Sequence, residues 1–181
     1  MAVSDGKVII AQRMGDGSYN VYAGLTIPEN WSKANADYFH SPLFREKLVS
    51  DEYADWSSDI TDLVKLSDGS FHTWPLYALS PEALCWKPKP GCTLVGDAAH
   101  VGLPNGEGVN VAMHDSLQLA QEIERCGLEN LAEAVRRYEE SMLPKGAEHI
   151  EDGEMMSKLF YEKDSPKSFQ AWIASMGEGV Q

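Results

Sequence analysis

Apolar positions predict short strands in the first part of the 181-residue chain and longer helices in the second. Near the start, Val8, Ile9, Ile10 and Ala11 form a short apolar run that leads to Arg13 and Met14. Gly15-Asp16-Gly17-Ser18 follows and supplies the permissive backbone that a tight turn needs. The chain returns from Tyr19 to Leu25, with Val21 and Ala23 on one face and Tyr22 on the other. The first 27 residues are therefore predicted to form a β-hairpin with both faces covered.

Ser41-Pro42 predicts a helix start leading through Phe44 and Leu48, because Ser caps and Pro suits the first helical position. A second short helix is predicted over 59–66, with Ile60, Leu63 and Val64 on one stripe. Phe71-His72-Thr73-Trp74 reads as a strand stopped by Pro75. Pro81, Pro88 and Pro90 mark 81–91 as a loop, and Cys92-Thr93-Leu94-Val95 reads as a compact buried strand. Helices are predicted from Val109 to Cys126, stopped by Gly127, and over 130–142, interrupted by Pro144. A further helix carries Ile150, Met155 and Leu159, and Ser165-Pro166 opens the last one. There Phe169, Trp172, Ile173 and Met176 recur at helical spacing, and such Met and aromatic stripes are expected in the core.

Composition narrows the partners. Fifteen Lys and Arg against 28 Asp and Glu give a net charge of −13. A phosphate-binding surface needs excess cations, so no nucleic-acid partner is expected, and docking on an anionic membrane is disfavoured. An apolar share of 43% and a charged share of 24% are ordinary for a folded globular chain. No apolar run approaches the roughly 20 residues of a membrane span, and the early VIIA stretch is too short for a secretory signal. A cytoplasmic protein is expected. Cys85, Cys92 and Cys126 show no metal-ligand spacing. No metal site is expected, and the thiols are expected to be reduced and partly buried.

The chemistry lies between Cys92 and Asp115. Asp97 follows Gly96 at the end of the predicted strand, where open α/β sheets place ligands. Ten residues on, Gly106 and Gly108 flank a helix start and leave N–H groups uncovered at the positive end of the helix dipole. The pair of features suits a ligand with hydroxyls for Asp97 and an electron-rich part for the helix. Gly106-Glu107-Gly108-Val109-Asn110-Val111 is not a dinucleotide fingerprint, since it lacks the third glycine and lies far from the strand. A glycine-rich helix start without a ligand is the alternative.

Gly96-Asp97-Ala98-Ala99-His100, followed by Pro104, Gly106, Gly108 and Asn110 and an Ala-, Leu- and Asp-bearing helix, resembles the second flavin-contacting motif of the class A FAD-dependent monooxygenases. These are the aromatic hydroxylases, including para-hydroxybenzoate hydroxylase and the tetracycline-modifying oxygenases. The hairpin is similar to strands of that family's substrate domain. The run from Trp74-Pro75-Leu76 through Trp86 and Pro90-Gly91, and the Tyr138-Glu139-Glu140 helix, are also similar, so the likeness covers residues 7 to about 160. It implies that Asp97 hydrogen-bonds the ribityl chain of FAD, with Gly96 in the motif. Pro104, Gly106, Gly108, Val109 and Asn110 would lie beside the isoalloxazine. NAD(P)H would serve as reductant where the redox chemistry survives, with transfer of an oxygen atom to an electron-rich substrate.

The chain lacks the GxGxxG unit with which a complete family member begins, so no private site for the ADP part of FAD is expected and FAD binding is in question. Gly102-Leu103 replaces a bulkier pair, and Glu107 brings a negative charge near the expected flavin edge. The expectation is an α+β fold. Residues 1–80 form a substrate-domain-like antiparallel sheet with short helices. Residues 81–181 form the C-terminal remnant of an FAD-binding domain, packed with the first part as one unit. The expected function is that of a truncated FAD-dependent monooxygenase acting on a small aromatic or polyketide-like compound. The alternative is a cofactor-independent cyclase, isomerase or dehydratase, or a small-molecule binding protein, on the same scaffold. Asp97, His100, His114 and Asp115 are the acid/base candidates for that case. Gln12, Tyr22, His72 and Trp74 are the candidate substrate contacts. The unpaired edge of the 92–95 strand predicts a homodimer or a partner chain over that surface.

Overall fold

The computed structural model describes residues 1–39 and 41–178. The chain divides into two compact units, one of residues 1–75 with the chain from Leu159 onward, the other Leu76–Lys158.

The first unit holds a three-stranded antiparallel sheet in the order β1 (Ala2–Ser4), β2 (Lys7–Arg13) and β3 (Tyr19–Leu25). The predicted hairpin is β2–β3, with Arg13 opposite Tyr19 and Lys7 opposite Leu25. In its turn, Asp16 Oδ1 accepts from the Ser18 N–H at 2.9 Å, and Gly17 takes φ +89°. The additional strand β1 joins through Asp5-Gly6, both at positive φ, a backbone that Asp and Gly tolerate better than other residues. Ile9, Val21 and Ala23 point to a core completed by three helices: α1 (Trp31–Ala34), α2 (Phe44–Glu52) and α3 (Ser58–Lys65). Ser57 caps α3 by accepting from the Asp59 N–H. Tyr53, fully buried, donates its hydroxyl to the Gly24 carbonyl at 3.0 Å and so ties helix to sheet. Tyr161 lies over Gly24 on the opposite sheet face, where a Cβ would overlap its ring.

Residues 71–74 form no strand: they are irregular and mostly exposed, because no strand among the described residues pairs with them. The helix expected after Ser41-Pro42 begins three residues later, at Phe44. On α7 (Ser165–Glu178), Ile173 and Met176 are exposed, so the expected core stripe is only partly buried.

The second unit is helical, with α4 (Asp97–His100), α5 (Gly108–Cys126) and most of α6 (Leu131–Tyr161). Gly127, at φ +79°, ends α5 as expected. Pro144 does not interrupt its helix. The row Tyr138, Met142, Gly146, Ile150 and Gly153 is buried at helical spacing on both sides of it, and that packing outweighs the missing N–H. The expected buried strand at 92–95 is also absent. Leu94 and Val95 are exposed, and Cys92 makes only an isolated bridge with Lys89. With no strand beside this segment among the described residues of its unit, no ladder forms, and the Leu94 carbonyl instead accepts from the Tyr138 hydroxyl. Cys85 and Cys92 are exposed free thiols and only Cys126 is half-buried, a correction to the partly buried thiols expected. The mixture of an antiparallel sheet with helices is that of an α+β protein.

Candidate functional site

The Gly96–His100 motif forms a sharp corner that runs straight into the short α4. Gly96 sits at φ +56° and ψ −140°, a conformation closed to residues with a side chain. A Cβ there would also come within 2.9 Å of the Ala112 Cβ. The corner therefore packs directly on α5, one helical turn from that helix's start at Gly108. Ala112 lies about 6 Å along the axis from Gly108 at 1.5 Å rise per residue. The motif corner therefore packs within two turns of the glycine-rich start of α5.

Asp115, one turn further along α5, holds the corner. Its Oδ2 accepts from the Gly96 N–H at 2.9 Å and from His100 Nε2 at 2.6 Å. Both side chains are almost wholly buried, at 1% and 2% exposure. His100 Nδ1 has no hydrogen-bond partner among the described residues, and its ring meets His149 edge-on at 5.6 Å. His149 is itself buried and reaches Asn105 through Nδ1 at 3.3 Å. Missing side chains let the loop after α4 lie directly on α6. A Cβ on Gly146 would press on Leu84 and His100, and one on Gly153 would meet the Leu103 backbone at 2.6 Å. A second buried carboxylate fixes the approach to the corner. Glu139 Oε1 accepts from Trp86 Nε1 at 3.2 Å and Thr93 Oγ1 at 2.8 Å. Burial, then the charges of Asp115 and Glu139, push the Tyr138 hydroxyl well above its ordinary range.

Of the four acid/base candidates, the structure brings His100 and Asp115 into one closed pair and leaves Asp97 and His114 exposed. Among the candidate cofactor contacts, Gly96 is buried, Val109 is 73% exposed, and Pro104 and Asn110 are exposed. Open space surrounds Gly106 and Gly108, so a ligand can approach the backbone there. No side chain caps the start of α5, and Glu107 is occupied by Asn110 at 3.0 Å. Gln12 and Tyr22 share one sheet face, both exposed, while His72 and Trp74 lie on the irregular exposed segment. None of these four lines the hollow of about 120 Å³ in the first unit, which Trp31, Tyr38, Phe44, Lys47, Leu48 and Asp51 help to form. Sequence reasoning noted Glu139 only within the Tyr138-Glu139-Glu140 resemblance and missed His149, and the signal for a structural role in both is a charged or polar residue on the buried stripe of α6. Among the described residues no group of three His, Cys, Asp or Glu side chains is arranged to hold a metal. No described helix is long and apolar enough to cross a membrane.

No family model matches the chain. It is similar to monooxygenase asqM of Emericella nidulans, 42% identical over 85 residues, covering 43% of this chain and 19% of that protein. Monooxygenase penA of Penicillium thymicola is 35% identical over 115 residues, covering 54% and 27% respectively. The 3-amino-4-hydroxybenzoate 2-monooxygenase PtnB3 of Streptomyces platensis is 28% identical over 141 residues, covering 77% and 32%. The chain therefore spans between 19% and 32% of the length of these curated relatives. All three are named as monooxygenases, and this partial similarity supports an oxidoreductase relationship of monooxygenase type.

Proposed function

We propose that the chain contributes the ribityl and isoalloxazine side of the flavin site in an FAD-dependent monooxygenase acting on a small aromatic or polyketide-like compound. The observation that carries this reading is the placement of the motif corner and the open start of α5 at one end of the same helix. Asp97 is exposed there to accept from ribityl hydroxyls. The uncapped N-terminal N–H groups of the 19-residue α5 can donate to the electron-rich edge of the ring, aided by the helix dipole. Gly106 and Gly108 keep that approach free of side chains. When bound, FAD would supply reduction of oxygen by NAD(P)H and oxygen-atom transfer to the substrate. The residues of this chain bind and orient the group.

The test is flavin binding by the purified full chain, read as an absorption band near about 450 nm and as quenching of FAD fluorescence on titration. FAD binding by the wild type, weakened but still measurable on titration in Asp97→Ala, is the expected result. A colourless protein that neither binds FAD nor consumes NADPH, yet converts a substrate, would replace this reading with the cofactor-independent one.

A further inference from the structure

We propose that Asp115 is the positioning residue for Asp97: it fixes the candidate flavin contact through the backbone beneath it and does not itself touch the ligand. This rests on the flavin reading above and deepens it. Asp97 is exposed, so the peptide that carries it sets where its side chain leaves the backbone. That peptide is held on both sides by one oxygen. Asp115 Oδ2 takes the N–H of Gly96, immediately before Asp97, and Nε2 of His100, at the end of the same short helix. The bonds are closed to water, which would otherwise compete for the same donors. Asp115 and Ala112 lie three residues apart on α5, on one helix face, and both meet Gly96. The helix that presents the open N–H groups at Gly108 is therefore the helix that holds Asp97. Gly108 and Asp115 are separated by about 10 Å of rigid axis at 1.5 Å per residue. Asp115 thereby sets the spacing between the two halves of the cradle.

The experiment titrates FAD into the full chain as wild type, Asp97→Ala, Asp115→Asn and the double variant, and follows amide hydrogen exchange at Gly96. In Asp115→Asn the Gly96 amide is expected to exchange at least about tenfold faster, while the amides of Tyr138 and Met142 keep their protection. FAD affinity should fall at least about tenfold on the wild-type background and not at all on the Asp97→Ala background. That non-additivity is the signature of action through Asp97. Wild-type affinity in Asp115→Asn, or a loss that simply adds to that of Asp97→Ala, overturns the proposal. If Asp115→Asn loses protection throughout α6, His100→Phe takes its place, since it keeps a ring there, removes one tether and leaves the Gly96 bond. It should show a smaller loss, again absent without Asp97, and unchanged affinity there also overturns the proposal. A wild type that binds no FAD sinks the flavin reading and this inference together. Binding that ignores Asp115 sinks this inference alone.

Discussion

Tyr53 joins two secondary-structure types through a single hydroxyl, and its environment makes the first unit sensitive to alkali. Burial, and then the neighbouring Tyr161 and Glu52, raise its pKa well above the ordinary 10.0. The sign follows from linkage. The neutral phenol is favoured in the folded state, so its contribution is complete below about pH 10 and is lost as pH rises beyond it. Urea denaturation midpoints should be flat from about pH 7 to 9.5 and fall above about pH 10. Tyr53→Phe should cost about 1 kcal/mol at neutral pH, from the lost bond to Gly24, and should flatten part of the alkaline fall. A Tyr53→Phe protein with the wild-type pH profile would show that Tyr53 is not the group responsible.

Among the elements, α6 shows packing overriding a local breaker. Pro144 sits in the helix interior with an exposed ring, so Pro144→Ala restores an N–H without disturbing the buried row. The variant should be more stable by as much as about 3 kcal/mol, measured as a rise in urea midpoint at constant slope. An unchanged or lower midpoint would mean that the ring is needed where it lies. The same element marks the limit of sequence reading. The hairpin, α5 with its Gly127 stop and the ends of α6 were legible because period and terminator agree locally. Continuity through Pro144 was not, since it depends on Gly146 receiving Leu84 and His100 and on Gly153 receiving the backbone of Leu103. The 92–95 segment misled for the converse reason. Its composition suits a strand, but a strand is made by its neighbours, and none lies beside it among the described residues. At the site, the residues of the motif and of the glycine-flanked helix start were legible as a pattern in the sequence. The Asp115–His100 bond was not, because it joins two helices across a fold that local pattern does not encode.

For the molecule as a whole, a net charge of −13 opposes compaction. Raising sodium chloride from about 10 mM to 200 mM shortens the Debye length below about 10 Å and should lift the melting temperature by about 2–4 °C. A fall in melting temperature would place the balance with attractive ion pairs such as Arg136–Glu133. The hydrogen-bonded corner also bears on the order in which the chain acquires structure. Its anchors come late: Asp115 follows Gly96 by 19 positions, and Tyr138 and Glu139 reach back 44 and 46 positions to Leu94 and Thr93. During ribosomal synthesis the Gly-Asp-Ala-Ala-His stretch therefore emerges as an unstructured string of small residues. It takes its bent shape only after α5 and the first half of α6 have been delivered. Vectorial translation makes this corner among the last parts of its unit to mature, and a nascent polypeptide arrested before Tyr138 would lack it.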